Sequence, residues 1–163
     1  MAIDQTSIDQ TNLRLLEELQ RDARLSLAEL GRRVGLSAPA VAERLSRLES
    51  SGAIRGYHAD VDPRALGLAL SAVIRVRPAP GQLAGVGERA ARTPEVAWCH
   101  RITGEDCFVL WADVRDVAHL EQVIDGFAAL GQTTTSIVQS SPVPGRGVAI
   151  DAPQSGAASA ARA

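Results

Sequence analysis

The 163-residue sequence predicts an α+β fold in two parts, three helices and a strand followed by a β-α-β-β-α-β domain. Three observations predict it. Apolar residues recur at helical spacing through residues 8–49, and capping residues precede each run. From about residue 68, apolar alternation and turn signals replace that pattern. Between the two, Asp60-Val61-Asp62-Pro63-Arg64-Ala65-Leu66-Gly67 interrupts both periodicities. The expected organisation is therefore a winged helix-turn-helix over residues 1–60, a hinge over 61–67, a ferredoxin-like domain over 68–143 and a tail over 144–163.

Asp9 caps the first helix, which runs to about Asp22, and Ile8 with Leu13 forms a hydrophobic staple. Leu13, Leu16 and Leu19 supply its buried face, with Leu15 beside it. Ser26 and Glu29 form a capping box, so a second helix starts near Leu27 with Leu27, Leu30 and Val34 inward. Gly35 ends it, because a chain leaving a helix often needs positive φ. Ser37 caps the third helix, and Pro39 suits a first turn whose N–H lacks an intrahelical partner. Val41, Leu45 and Leu48 face inward; Ala38, Pro39, Ala40, Glu43, Arg44 and Arg47 face outward. Gly52 to Gly56 ends this helix, and Ile54–Val61 is expected to be the wing strand.

The second part begins with a strand over Leu68–Arg77, a Pro78-Ala79-Pro80-Gly81 turn and a helix over Gln82–Arg92 that stops before Pro94. Glu95–Thr103 is a strand, Gly104-Glu105-Asp106 a turn, and Cys107–Val114 a strand with Phe108, Leu110, Ala112 and Val114 on one side. Asp116 opens a helix to about Leu130, and Gln132–Val143 is the last strand. Val96, Trp98 and Ile102 are expected to share a face. Two helices cover one side of a four-stranded sheet, so the other side leaves an apolar patch that implies a homodimer packed sheet against sheet. Residues 144–163 are rich in Ala, Gly, Ser and Pro and read as disordered.

A helix-turn-helix with small residues at the front of its second helix and arginines along its outer face is suited to the major groove of double-stranded DNA. Ser37, Ala38, Pro39 and Ala40 let the backbone approach base edges, while Arg32, Arg44 and Arg47 reach phosphates or a guanine edge, and Glu43 lies on the same DNA-facing surface as Arg44 and Arg47. The formal net charge is −2, but residues 26–47 hold four arginines against two glutamates, a local basic island. Every basic residue is arginine, which excludes lysine Schiff-base chemistry.

The polar N-terminus gives no signal-peptide pattern, and no apolar run approaches a membrane span. With two cysteines, Cys99 and Cys107, the expected compartment is a reducing cytoplasm. His58, His100 and His119 are scattered, so neither a metal site nor a cofactor is expected. An enzyme reading built on Cys107, Asp106 and His100 lacks a base placed by sequence.

Three local patterns resemble the Lrp/AsnC (leucine-responsive, feast/famine) family of transcription regulators. They are Ile8-Asp9 with the leucine-rich helix, Leu36 to Leu45 continuing through Leu48-Glu49 and Gly52-Ala53-Ile54, and the pair Thr103 to Phe108 and Gln132 to Val138. Their order and spacing cover residues 8–143. The resemblance implies a winged helix-turn-helix joined to an effector (RAM) domain, dimers that associate further, often to octamers, and control by a small molecule, usually an amino acid. The segments that would hold the effector are Thr103, Gly104, Glu105 and Asp106, and Thr133, Thr134, Thr135 and Ser136. Glu105 or Asp106 suits an ammonium; the hydroxyls and the N–H groups around Gly104 suit a carboxylate. The family often has Asp three residues after the turn glycine; here that position is Cys107. The expected function is sequence-specific transcription regulation modulated by that effector, not catalysis; an effector-independent DNA-organising protein is the alternative.

Overall fold

The computed structural model describes residues 8–143 and 145–150. The helices α1 (Gln10–Arg21), α2 (Leu27–Val34) and α3 (Ala38–Ser50) come first. After a 3-10 turn (Pro63–Leu66) follow β1 (Leu70–Pro78), α4 (Leu83–Arg92), β2 (Val96–Arg101), β3 (Phe108–Val114), α5 (Val117–Ala128) and β4 (Gly131–Ile137). Contacts divide the described chain into two units, residues 8–59 with 143 and 145–150, and residues 60–142.

In the first unit the expected caps form. Asp9 accepts from Asn12 N at 2.7 Å, Ser26 from Glu29 N at 3.2 Å and Ser37 from Ala40 N at 3.4 Å. Each satisfies a backbone donor that the first helical turn leaves without an intrahelical partner. Gly35 ends α2 at φ 77°. Gly31 permits a closer contact: a Cβ there would lie 2.4 Å from the Leu36 carbonyl oxygen. That carbonyl belongs to the turn, so Gly31 lets the turn fold back tightly and fixes where α3 departs. The core comprises Leu15, Leu30, Val34, Val41, Leu45 and Leu48.

Three expectations for this unit are corrected. Leu15 is completely buried and Leu13 only half-buried, so the inner stripe of α1 is rotated from the one expected. Leu27 is 41 % exposed; Leu25, immediately before the Ser26 cap, packs into the core instead. Residues 54–61 form no strand. Ile54 N donates to Leu48 O at 3.0 Å, and then the chain runs exposed without a neighbouring strand to complete a ladder. The tail expected over 144–163 lies outside the described residues except for 145–150. Those residues run beside α1, where Gln20 Nε2 donates to Val148 O at 3.1 Å.

In the second unit the sheet order is β2-β3-β1-β4 and every neighbouring pair is antiparallel. This is the expected split β-α-β topology. One face buries Ala72, Ile74 and Val76 with Phe108, Leu110, Ala112 and Val114 against Val86, Ala90, Leu120, Val123 and Phe127 of the two helices. Asp116 caps α5, accepting from His119 N at 2.8 Å. Buried His119 lies 2.9 Å from Glu95 through Nε2, and its Nδ1 accepts from Arg115 N at 3.3 Å. That arrangement assigns the ring proton to Nε2 and ties α5 to the approach to β2.

The opposite face carries Val73, Arg75 and Arg77, Val109, Trp111 and Asp113, Trp98 and His100, and Thr134 and Ser136. A register shift between Val96 and Trp98 puts these two on opposite faces, which corrects the expectation that they share one. An extra residue in an antiparallel strand reverses the alternation beyond it. Trp98 then stacks on His100 at 5.1 Å between centroids and tilts against Trp111 at 6.0 Å. The last strand ends at Ile137, short of the expected Val143, and β1 runs from Leu70 to Pro78.

Candidate nucleic-acid interface and effector site

The front of α3 is open and built of short side chains. Pro39 is exposed, and Ala38 and Ala40 are half-exposed. No acidic residue stands in this first turn, so its positive end of the backbone dipole is uncompensated. Behind it, Arg47 pairs with Glu43 across one helical turn; their side chains are 70 % and 68 % exposed. Such a solvated pair is weak enough to open when a phosphate approaches.

Arg44 is placed differently. Its guanidinium Nη1 donates to Asp9 Oδ2 at 2.7 Å and to Asn12 Oδ1 at 2.9 Å. The sequence periodicity puts Arg44 on the outer face of α3, but this pairing turns it toward the start of α1. The guanidinium holds the Asp9 carboxyl below the usual carboxylate range, helped by the Asn12 backbone N–H. A cavity of about 180 Å³ lies here, lined by Asp9, Asn12, Arg44, Arg47 and Leu48.

Arg32 is exposed and grips Glu29 with two hydrogen bonds, 2.9 Å from Nε and 2.6 Å from Nη2. Arg33 bridges Glu29 at 2.8 Å and Glu18 at 2.7 Å, which couples α2 to α1. Arg32 first, then Arg33, lowers the Glu29 carboxyl to about 2. Tyr57 Oη donates to Glu49 Oε1 at 2.8 Å, and burial followed by this contact pushes the phenol up to about 12.

In the second unit, residues 102–107 connect β2 to β3. Ile102 N donates to Cys107 O at 2.8 Å, closing the loop. Gly104 takes φ 109°, which favours glycine. Thr103, Gly104 and Glu105 are exposed, while Asp106 is half-buried. The loop meets two residues for which sequence alternation gave no functional signal, Arg75 and Arg77 of β1. Arg77 Nη2 donates to Glu105 Oε2 at 2.5 Å, and its Nε lies 3.6 Å from Asp106 Oδ1. Arg75 Nη1 lies 3.8 Å from Asp106 Oδ2.

The four hydroxyl residues of β4 do not form one surface. Thr133 and Thr135 pair with Val76 and Ile74 and so belong to the helix-covered face. Thr134 and Ser136 pair with Arg75 and Val73 on the open face. A two-residue alternation imposes this split, so only Thr134 and Ser136 share a face with the two arginines.

Cys107 Sγ approaches the carbonyl oxygens of Gly104 and Glu105 at 3.8 Å, and burial pushes the Cys99 thiol up. His100 is engaged with Trp98. Among the described residues no helix is long and apolar enough to cross a membrane.

Comparison with known proteins covers both units. A family model for the AsnC-type helix-turn-helix domain matches residues 8–49, and one for the Lrp/AsnC ligand binding domain matches residues 71–148. The HTH-type transcriptional regulator LrpC of Bacillus subtilis is 34 % identical over 133 residues, spanning 82 % of this chain and 92 % of that protein. Its solved structure superposes with a TM-score of 0.80 at 33 % identity, covering 84 % of this chain and 98 % of that one. A feast or famine regulatory protein of Mycobacterium tuberculosis, solved in complex with L-methionine, gives 0.83 at 33 % identity, with 88 % and 99 % covered. A transcriptional regulator of Neisseria meningitidis, also solved with L-methionine, gives 0.77 at 28 % identity, with 83 % and 92 % covered.

Proposed function

Since the chain belongs to the Lrp/AsnC family of transcriptional regulators, we propose that it binds DNA sequence-specifically through α3 and that an amino acid bound at its second domain changes its DNA occupancy. The observation that carries the DNA half is the open, short-side-chain first turn of α3, set at a fixed departure from α2 by Gly31 and Gly35. In this reading Ser37, Ala38, Pro39 and Ala40 approach base edges. Arg47 leaves Glu43 for a phosphate, and Arg32 supplies a second phosphate contact. Arg44 orients the α1–α3 junction and touches DNA only if it releases Asp9.

The effector half is supported by loop 102–107, which brings Glu105 and Asp106 over the open sheet face beside Thr134. Two solved relatives carry L-methionine. Residues 61–67 serve as the connection between the two domains. The open face, with Val73, Val109, Trp98 and Trp111, serves as a homodimer surface. The protein acts in the cytoplasm without a resident cofactor and without catalysis.

A labelled duplex enriched from a random-sequence pool tests this reading. Its affinity is measured by fluorescence anisotropy with and without each of the twenty amino acids. At least one should shift the apparent Kd by about five- to 150-fold, the usual span of allosteric coupling. Duplex binding that no amino acid alters would favour an effector-independent DNA-organising protein. Failure to enrich any sequence would contradict sequence-specific binding.

A further inference from the structure

We infer that the cavity between α1 and α3 is the seat of a DNA backbone phosphate gripped by Arg44 and Arg47, and that the Asp9 carboxylate occupies Arg44 until DNA displaces it. The inference rests on the DNA reading above and adds to it a residue that limits affinity from the start of α1.

The first observation is a shared lining. Arg44 and Arg47 stand three positions apart on α3, so their side chains fall on one face of the helix. Both border the same cavity of about 180 Å³, together with Asp9, Asn12 and Leu48. Glu43, the partner of Arg47, lies outside this lining. Two guanidinium groups against one carboxylate leave the lining net positive, which suits an anion. The anion that DNA presents along its whole length is the phosphodiester.

The hydrogen bonds then show how the seat is held. Among the described residues the Arg44 guanidinium bonds through Nη1 alone, to Asp9 Oδ2 at 2.7 Å and to Asn12 Oδ1 at 2.9 Å. Its Nε and Nη2 together form the edge that takes two phosphate oxygens side by side. A phosphate can therefore engage this edge first and Nη1 afterwards. The two Asp9 oxygens have separate tasks. Oδ1 caps α1 through Asn12 N at 2.7 Å, and Oδ2 holds Arg44, so the pair can open while the cap stays closed. Asp9 is exposed and Arg44 half-buried, so water screens their attraction. The arginine keeps the carboxyl below the usual carboxylate range, and the ionised group repels an arriving phosphate. DNA binding is then an exchange in which one anion leaves the guanidinium as another arrives. The exchange touches no base edge. Asp9 therefore sets how tightly a protomer holds DNA, not which sequence it selects.

The test uses the full chain and fluorescence anisotropy over a range of salt concentrations. The probes are the enriched duplex and a random-sequence duplex. The variants are Asp9→Asn, Asp9→Ser, Arg44→Gln and the double variant Asp9→Asn with Arg44→Gln, with circular dichroism confirming their fold. Asn and Ser both keep an oxygen for the cap; Asn removes the charge, and Ser is too short to reach Arg44. Each Asp9 variant should bind both duplexes about two- to fivefold more tightly than the parent, the span of an exposed ion pair. A merely structural role for the pair predicts the opposite sign. Arg44→Gln should weaken both duplexes and reduce the steepness of log K against log salt by about 0.9, the mark of one lost phosphate contact. In that background Asp9→Asn should bring little further gain. Folded Asp9 variants that bind no more tightly than the parent would overturn the exchange, as would an equal gain in the Arg44→Gln background. A salt slope of Arg44→Gln equal to the parent's would overturn the phosphate seat. If the parent binds neither duplex, the DNA reading fails and this inference fails with it. Should neither Asp9 variant fold, the Arg44→Gln slope decides alone.

Discussion

The Arg44 guanidinium sits between Asp9 Oδ2 and Asn12 Oδ1, so its first effect is on the junction of α1 with α3. The side chains of Arg44 and Asp9 are 29 % and 53 % exposed, and water screens much of their attraction. A double-mutant cycle with Asp9→Ala and Arg44→Ala, read by urea denaturation, should give a coupling of about 0.5–1 kcal/mol. The contact has a definite pH sign. Arg44 lowers the folded-state pKa of Asp9, so its stabilisation is present above the ordinary carboxylate range and is lost as pH falls through the lowered value. Arg44→Ala should remove that part of the acid dependence; unchanged acid unfolding would remove the pair from the account. Helical spacing puts Arg44 on the outer face of α3, yet its guanidinium turns in to α1. Its partner lies 35 residues away, and helical spacing carries no information about which distant carboxylate a flexible side chain meets.

At the scale of elements, Gly31 sets the join between α2 and α3. Gly31→Ala would place a methyl group 2.4 Å from the Leu36 carbonyl oxygen, so the turn must open. The expected cost is about 1–3 kcal/mol, read as a lower melting temperature. A melting temperature equal to the parent's would show that the turn yields without strain.

The elements themselves were largely legible in the sequence. Asp9, Ser26, Ser37 and Asp116 announce helix starts through local hydrogen bonds, and Gly35 announces a stop through its φ. Features that depend on a non-local partner were not legible. Residues 54–61 have strand character but no strand to pair with, and the irregularity before Trp98 reverses a face that strict alternation assigns otherwise. Arg75 and Arg77 could be placed on the open face by alternation. That a loop from elsewhere in the chain lays two carboxylates beside them could not.

For the whole molecule, the open sheet face carries the oligomer prediction. Trp98 remains 40 % exposed although it stacks on His100 and tilts against Trp111, so a large indole is left in water on a face that no helix covers. Light scattering should report about twice the chain mass of 17.2 kDa, or a multiple of that dimer. Trp98→Arg should shift the population toward the monomer without loss of helical or sheet signal. A parent protein that is monomeric at all concentrations would remove the sheet face as the dimer surface.

Pro39→Glu separates contact of the first turn of α3 with DNA from folding. A carboxylate in the first turn favours the helix dipole by about 0.3–1 kcal/mol, so the variant should melt at or above the parent temperature. The same charge would face the phosphates and should weaken binding to the enriched duplex by about tenfold or more. A stable variant that binds that duplex as tightly as the parent would contradict the placement of α3 on DNA.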